Sequence, residues 1–209
     1  MKRNKVSYYS KLLSLLLAFV LFSNFPINAN AYTKAIRVKT SQDAAAYSNA
    51  LSYQPVAVQS TNRKQSIIDC TNTLSPTGGV TISTRFGTVT RLESNTYNAW
   101  VAMRTAAYYD GVDISISFAY RSVADQQRLY DDYISGRSSV PAAKPPGPHQ
   151  TGRAIDIFLG VEGIENMSPA AQQKLDAYIW LYDNASKFGF YGYSKTNPNF
   201  EGWHWVYNP

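Results

Sequence analysis

Two short stretches, each carrying one of the chain's two histidines, constrain the fold most. His149 lies in P-P-G-P-H-Q-T-G-R-A-I-D-I, and His204 lies near the C-terminus in E-G-W-H-W. The segment G-R-A-I-D-I-F alternates apolar and polar residues, and W-H-W-V-Y is rich in aromatic and β-branched residues, so both patterns predict strands. Asp156 falls within the first predicted strand. A half-buried carboxylate there needs a partner or a metal ion, because its burial is otherwise costly.

The residue types around the two histidines favour a metal site. Two imidazoles and one carboxylate are a common ligand set for a catalytic zinc ion, with the fourth position left to water. We therefore hypothesise that His149, Asp156 and His204 bind one Zn²⁺ and that Glu201 is the general base. The alternative is that both histidines are ordinary surface or core residues, and the spacing alone favours the metal site only moderately.

Three motifs, in this order along the chain, resemble a known family. The segment S-F-A-Y-R-S-V-A-D-Q, Ser117 to Gln126, is similar to the family pattern S-G-Y-R-S-x-x-x-Q, and H-x-x-G-x-A-x-D and E-x-W-H follow from His149 and Glu201. Together they resemble the zinc D-Ala-D-Ala carboxypeptidases of the VanY type. That family of LAS-type metallopeptidases also includes dipeptidases and phage L-alanyl-D-glutamate endopeptidases. The resemblance implies a zinc peptidase that acts on peptidoglycan stem peptides.

Arg121, Ser122 and Gln126 are further candidate site residues. Arg121 follows a segment, Asp113 to Ala119, whose alternation predicts a strand, and its planar charged guanidinium suits a carboxylate or a developing oxyanion. The resemblance implies that Arg121 contacts substrate and stabilises the transition state, and Gln126 matches the family's motif glutamine as a substrate-binding candidate. Ser122 is a candidate for substrate binding or, alternatively, for the N-cap of the next helix. The structural alternative for Arg121 is a helix cap or an ion pair.

Gly147 departs from the family pattern. The pattern is S-x-H, and Gly147 stands where that serine would be. In the family this serine lies in the substrate-binding region, so the change bears on substrate preference and removes no metal ligand. Gly152 follows His149 at the family spacing, and we expect it to permit a tight backbone path.

The N-terminal segment has the pattern of a secretory signal. Residues 1–31 combine a basic start, an apolar run from Leu12 to Phe22 and the small-x-small end Ala29-Asn30-Ala31. An uncleaved anchor is the alternative, although the run is shorter than the about 20 residues of a bilayer span. Either way the rest of the chain is expected outside the cytoplasm. We predict a secreted, cell-wall-associated protein with no stable membrane span after cleavage.

Charge and cysteine content narrow the classes of partner. The net charge is +6, but the signal segment holds four of the 20 basic residues, which leaves 16 basic against 14 acidic residues. A nucleic-acid partner predicted from the basic pI therefore loses its support. Cys70 is the only cysteine, so no internal disulfide is possible and the domain must be stabilised by its core. We expect a monomer.

The remaining patterns divide the chain into three parts. After the signal peptide, residues 32–79 are predicted to be an N-terminal arm or linker that is partly disordered, and residues 80–209 the peptidase domain. The domain is predicted to be α+β, with a small antiparallel β-sheet that carries the zinc site and helices packed on it. Its predicted helices run from Ser94 to Gly111, from Val123 to Ser135 and, without a break, from Ser168 to Gly189.

The favoured function is that of a D-alanyl-D-alanine carboxypeptidase. A peptidoglycan endopeptidase that cuts an L-Ala-D-Glu or cross-bridge bond is the first alternative. A dipeptidase is disfavoured, because those relatives act on a free cytoplasmic dipeptide and this chain is predicted to be exported. A third alternative is a non-catalytic, zinc-containing module that binds the cell wall. The presence of Glu201 argues against that module.

Overall fold

The computed structural model describes Arg37, residues 40–54, residues 73–75 and residues 78–209. The predicted signal peptide and Cys70 lie outside the described residues. Among the helices of the described residues, none combines the length and the apolar character that crossing a membrane requires.

A four-stranded antiparallel sheet forms the centre of the fold. Its strands lie side by side in the order β3 (Ser115–Phe118), β4 (Ala154–Phe158), β6 (His204–Tyr207) and β5 (Phe190–Gly192). A separate antiparallel hairpin consists of β1 (Val80–Ser83) and β2 (Val89–Leu92). The predicted α+β architecture with a small antiparallel sheet is confirmed. The two strands expected from the segments around Asp156 and His204 are its neighbouring central strands.

Five α-helices and two 3₁₀ turns surround these sheets in the described part of the chain. The α-helices are α1 (Ser41–Leu51), α2 (Ser94–Tyr109), α3 (Val123–Ile134), α4 (Pro169–Gln172) and α5 (Asp176–Asn184), and the 3₁₀ turns are Ile164–Asn166 and Ala185–Phe188. Helix α2 lies against the sheet. Its Met103 and Ala106 belong to the same buried core cluster as Ile155 and Ile157 of β4 and Leu181 of α5. Alternation along β4 therefore leaves Asp156 on the opposite, open face.

The prediction of one unbroken helix from Ser168 to Gly189 is wrong, because the helix is interrupted at Leu175. Leu175 has the extended backbone angles φ −70° and ψ 133°, so α4 and α5 are separate helices. The buried side chain of Gln172 donates to the carbonyls of Ile164 and Met167. Helical spacing in the sequence predicts that Tyr182 lies on the apolar stripe of this helix, but Tyr182 is exposed in the structure.

Two further differences concern the first helices. Helix α1 falls within the segment predicted to be a partly disordered arm, and it packs on α2 through polar contacts as well as its small apolar residues. Tyr47 donates to Asp110 at 2.5 Å, and Tyr109 donates to Asp43 at 3.1 Å. Such tyrosine–carboxylate contacts leave little hydrophobic periodicity in the sequence. At the start of α2 the N-cap is Glu93 and not Ser94, because the Glu93 carboxylate accepts from two backbone N–H groups.

Candidate metal centre

The three predicted metal ligands meet on the open face of the sheet. Asp156 and His204 are cross-strand partners on β4 and β6, and His149 lies in the turn that precedes β4. Asp156 Oδ1 is 3.0 Å from His204 Nδ1 and 3.6 Å from His149 Nε2. One potential ligand atom from each of the three residues lies within 4.8 Å of the other two. The arrangement can hold a metal ion.

His149 is oriented by its second ring nitrogen. Its Nδ1 lies 2.5 Å from the carbonyl oxygen of Ala119, just beyond the end of β3. A carbonyl oxygen only accepts, so Nδ1 donates this hydrogen bond, and Nε2 is the nitrogen that faces Asp156. A metal-binding histidine is commonly held in this way, because the outer hydrogen bond fixes both the tautomer and the ring orientation.

The two carboxylates of the site have opposite electrostatic environments. Burial raises the pKa of Asp156, but its close contacts with His149 and His204, at 3.6 Å and 3.0 Å, outweigh burial and hold this pKa below its usual range. Asp156 is therefore anionic at neutral pH. Burial raises the pKa of Glu201, the negative charge of Asp156 raises it further, and His204, His149 and Arg121 lower it, with a net upward shift. A carboxylate with a raised pKa is a stronger proton acceptor.

The turn with the first histidine, residues 147–152 (the first histidine turn), is held by backbone hydrogen bonds close to the turn and by others with Leu74, Glu93 and Arg121. The Pro148 carbonyl accepts from the backbone N–H groups of Arg153 and Ala154. Gly152 has φ +72°, and a Cβ there would lie 2.8 Å from the backbone nitrogen of Glu93. The tight backbone path expected at Gly152 is confirmed. Thr151, which the sequence suggests is a surface residue, is buried and donates to Pro148.

The turn with the second histidine, residues 201–204 (the second histidine turn), depends on a distant side chain. The Oε1 atom of Gln172 accepts from the backbone N–H of Gly202 at 2.9 Å. The same side chain is anchored at its Nε2 atom by the carbonyl of Met167 at 2.9 Å. The sequence analysis missed Gln172. A glutamine in P-A-A-Q-Q-K resembles a surface helix residue, and no local signal marks it as buried.

Arg121 lies beside the metal-binding cluster and is held by two contacts. Its guanidinium carbon is 4.6 Å from the centroid of the Phe118 ring, and its Nη1 donates to Gln126 Oε1 at 2.8 Å. Gln126 is buried, and its Nε2 donates to the carbonyl of Ala143 at 2.8 Å. Gln126 therefore connects Arg121 to the loop of residues 137–148, which contains four prolines. A direct contact of Gln126 with substrate stays a prediction.

Ser122 and Tyr193 complete the surroundings. Ser122 is the N-cap of α3, where its side chain accepts from the backbone N–H of Asp125. Ser122 thus makes the contacts of an N-cap, as the alternative interpretation of the sequence predicted. Its role in substrate binding stays a prediction. The Tyr193 ring stacks on His204 with the ring centroids 5.6 Å apart. Tyr193 lies in a turn-rich segment after β5 and was missed, because nothing in its sequence context distinguishes it from the other tyrosines.

Comparison with protein families gives one extensive match. The model of the VanY family, described as D-alanyl-D-alanine carboxypeptidase, matches residues 89–209, which is more than half of the chain and includes every candidate site residue. Among curated proteins, no match to this chain is found.

Solved structures similar to this chain include three peptidases. A zinc complex of a mutant of the vancomycin resistance D,D-pentapeptidase VanY, from a VanB-type resistance cassette, is 21% identical with a TM-score of 0.44 and covers 66% of this chain and 84% of that one. VanYB in complex with D-alanine-D-alanine is 23% identical with a TM-score of 0.45, over 66% and 82% of the two chains. The LdcB LD-carboxypeptidase is 25% identical with a TM-score of 0.48, over 64% of each chain.

Proposed function

The chain belongs to the VanY family of D-alanyl-D-alanine carboxypeptidases, and from this membership we propose that it is a zinc peptidase that releases the terminal D-Ala from peptidoglycan stem peptides. The observation that carries the proposal is the cluster of His149, Asp156 and His204 with Glu201 in the adjoining turn. A ligand set and a separate general base are the two parts that metal-assisted hydrolysis requires.

The donor set and its spacing fit a zinc ion. Ligand atoms about 2.0–2.2 Å from a tetrahedral zinc ion lie roughly 3.3–3.6 Å from one another. The observed separations of Asp156 Oδ1 from the two histidine nitrogens, 3.0 Å and 3.6 Å, are close to those values. When bound, zinc would lower the pKa of a water molecule and polarise the scissile carbonyl. Two imidazoles and one carboxylate make zinc the first choice among divalent ions.

Glu201 acts as the general base in this proposal. Its carboxylate takes a proton from the attacking water and then delivers it to the nitrogen of the departing D-Ala. The raised pKa of Glu201 suits both steps, because the group must accept a proton at neutral pH and release it again. The backbone of Glu201 is fixed, since its carbonyl accepts from the N–H of His204.

Arg121 binds the negative charge of the substrate or of the developing oxyanion. Its guanidinium is held against Phe118 and by Gln126, so little side-chain freedom remains to be lost on binding. The terminal carboxylate of a stem peptide is the group that this arginine is best suited to bind. This role is supported by the position of Arg121 three residues after the end of β3, where its backbone N–H donates to the carbonyl of His149 at 3.4 Å.

We also propose that the protein acts outside the cytoplasm. Peptidoglycan stem peptides of the mature wall lie there, and the sequence of residues 1–31 has the pattern of a secretory signal. Absence of the protein from the culture medium and from the cell-wall fraction, while it accumulates in the cytoplasm, would contradict this part of the proposal.

The test combines metal content with product release. We expect the purified protein to contain about one zinc ion per chain and to release D-Ala from a pentapeptide stem, and we expect His204→Ala to lose both. New internal amine termini without D-Ala would instead indicate an endopeptidase. Binding to purified cell wall at full zinc content, with no product, would indicate a non-catalytic module. A wild-type protein that binds no zinc would contradict the proposal as a whole.

A further inference from the structure

The open face of the sheet continues beyond the metal-binding cluster. Along β4 the side chains of Ile155 and Ile157 are buried in the core, while Asp156 and Phe158 lie on the other face. Residues two apart on a strand are roughly 7 Å apart. Phe158 is therefore one repeat of the strand away from a metal ligand, on the same surface.

Two arginine–phenylalanine stacks lie on this face, on opposite sides of Asp156. Arg121 stacks on Phe118, which is the cross-strand partner of Asp156. The guanidinium carbon of Arg85 is 3.6 Å from the centroid of the Phe158 ring. Strands β3 and β4 are antiparallel, and Phe158 pairs with the first residue of β3, whereas Arg121 follows the last. Along the strand axis the order is thus Arg121, the metal ligands, then Arg85.

Arg85 is fixed at its backbone, and its charge is only loosely paired. Its backbone N–H donates to the carbonyl of Ile116 at 2.8 Å, which ties the β1–β2 loop to the edge of the sheet. Within the described part of the chain, the carboxylate in ion-pair range is that of Glu162, at 3.6 Å and with a 71% exposed side chain. Exposed pairs of this kind contribute little free energy. The guanidinium can therefore exchange this contact for a stronger one.

A cavity of about 630 Å³ adjoins this stack and has a positive lining. Arg85 and Phe158 line it together with residues of α1 and α2, among them Arg104, and its acidic lining residue is Asp113. Both carboxylate oxygens of Asp113 already accept from Arg37, at 2.9 Å and 3.2 Å. Two arginines thus line a space in which the one lining carboxylate is already paired. The chemical complement of such a space is an anion.

We propose that Arg85, stacked on Phe158, is a second anion subsite, which binds a carboxylate on the part of the substrate that is retained after cleavage. This inference rests on the proposed function, in which Arg121 binds the terminal carboxylate of the departing D-Ala. Because Arg85 lies on the other side of the metal ligands, it faces the acyl portion of the stem peptide. A distance of roughly two residues along an extended chain points to the side-chain carboxylate of a diacidic third residue. Stem peptides with that carboxylate are the substrate class that the subsite selects.

The experiment compares two pentapeptides that differ in one group. Both carry D-isoglutamine at the second position and meso-diaminopimelate at the third, and in one of them the side-chain carboxylate of the third residue is amidated. The proteins are wild type, Arg85→Gln and Arg128→Gln. Arg128 is a matched control, because it is a 65% exposed arginine with a similarly loose carboxylate partner, Asp132 at 3.9 Å.

We expect the wild-type protein to prefer the peptide with the free carboxylate by about tenfold in kcat/KM, because one hydrogen-bonded charge pair contributes about that much binding free energy. The difference should appear in KM. Arg85→Gln should reduce this ratio to near one, and Arg128→Gln should retain it. Phe158→Leu, which removes the stacking surface and keeps an apolar side chain, should also reduce the ratio. A purely structural role for Arg85 would lower both rates and leave the ratio unchanged.

A wild-type protein without preference, or an Arg85→Gln protein with the wild-type ratio, would overturn the subsite. Binding of the same two peptides is measured by calorimetry in parallel. If no D-Ala is released from either peptide, the proposed function fails. The ratio of the two binding constants in wild type and Arg85→Gln then still decides the subsite by the same criterion.

Discussion

The first and second histidine turns deliver the same kind of side chain to one site, but they are held by different means. Residues 147–152 are fixed by backbone hydrogen bonds, both local ones and those with Leu74, Glu93 and Arg121, and by a glycine in a left-handed conformation. Residues 201–204 are fixed by the buried amide of Gln172, which is 30 positions away from its partner Gly202. The first turn is thus held through backbone groups, whereas the second also depends on a side chain of α4. The two turns should therefore respond differently to substitution.

The largest expected effect is that of a substitution in the second turn that should abolish catalysis and leave metal binding unchanged. Glu201→Gln keeps the shape of the side chain and removes the proton acceptor, so D-Ala release should fall by about 10²–10⁴-fold. Zinc content should stay at the wild-type level, because His149, Asp156 and His204 are unchanged. Metal analysis and a D-Ala assay on the same sample check both expectations.

Glu165→Gln is the control for this substitution, since it removes a carboxylate from the exposed 3₁₀ turn. It should leave D-Ala release at the wild-type rate. Near-normal activity in Glu201→Gln would contradict the assignment of the general base. It would also mean that the second turn, like the first, supplies the site with a histidine and with no catalytic base.

Breaking the first turn should cost stability. Gly152→Ala places a Cβ 2.8 Å from the backbone nitrogen of Glu93, at a φ of +72° that side chains rarely adopt. The backbone strain and the overlap together should lower the free energy of unfolding by about 2–5 kcal/mol. Gly136→Ala is the matched control, because its φ is +74° and a Cβ there would meet no atom within 4 Å. It should cost only about 1–2 kcal/mol.

Chemical denaturation of both glycine variants measures this difference. Equal losses in Gly152→Ala and Gly136→Ala would mean that φ alone matters and that the close approach to Glu93 does not constrain the turn. The first turn would then be less tightly encoded than its backbone contacts indicate.

Breaking the second turn from a distance should cost less stability. Gln172→Leu leaves the N–H of Gly202 without its protein acceptor, which should lower the free energy of unfolding by about 1–3 kcal/mol. D-Ala release should fall as well, because the displaced turn carries Glu201. Gln173→Leu is the control: this neighbouring side chain makes an exposed contact with Lys195, and its loss should change stability by less than about 0.5 kcal/mol. If Gln172→Leu and Gln173→Leu have the same stability and the same rate of D-Ala release, the second turn is held by its own strand and not by Gln172.

The same contrast explains how far the sequence predicts this molecule. The residues of the metal-binding cluster, the two strands that carry Asp156 and His204 and the tight turn at Gly152 follow from alternation, residue chemistry and glycine placement, which are local properties. The break between α4 and α5 and the burial of Gln172 cannot be predicted in this way. The spacing of apolar residues along a helix carries no information on hydrogen bonds with residues far along the chain. Helix α1 was missed for a related reason. Its contacts with α2 include tyrosine hydroxyls and carboxylates, which create no apolar stripe.

The smallest expected effect concerns Gly147, the residue that departs from the family pattern. In Gly147→Ser the new Cβ would lie 3.2 Å from Oε1 of Gln150, a buried side chain that accepts from the N–H of Gly147 and donates to the carbonyl of Arg121. The amide must shift by a few tenths of an ångström, so the free energy of unfolding should fall by less than about 1 kcal/mol. Because Gln150 also contacts Arg121, a change in KM should accompany it.

Gly78→Ser tests whether that change is specific to the first turn. A Cβ at Gly78 would also lie 3.2 Å from its nearest neighbour, Ser75, but Gly78 makes no contact with the metal-binding cluster among the described residues. Both variants should therefore lose similar stability, and only Gly147→Ser should alter KM for the pentapeptide. An unchanged KM in both variants would mean that the first turn accommodates the serine without a displacement of Arg121. The first turn would then position His149 independently of Arg121.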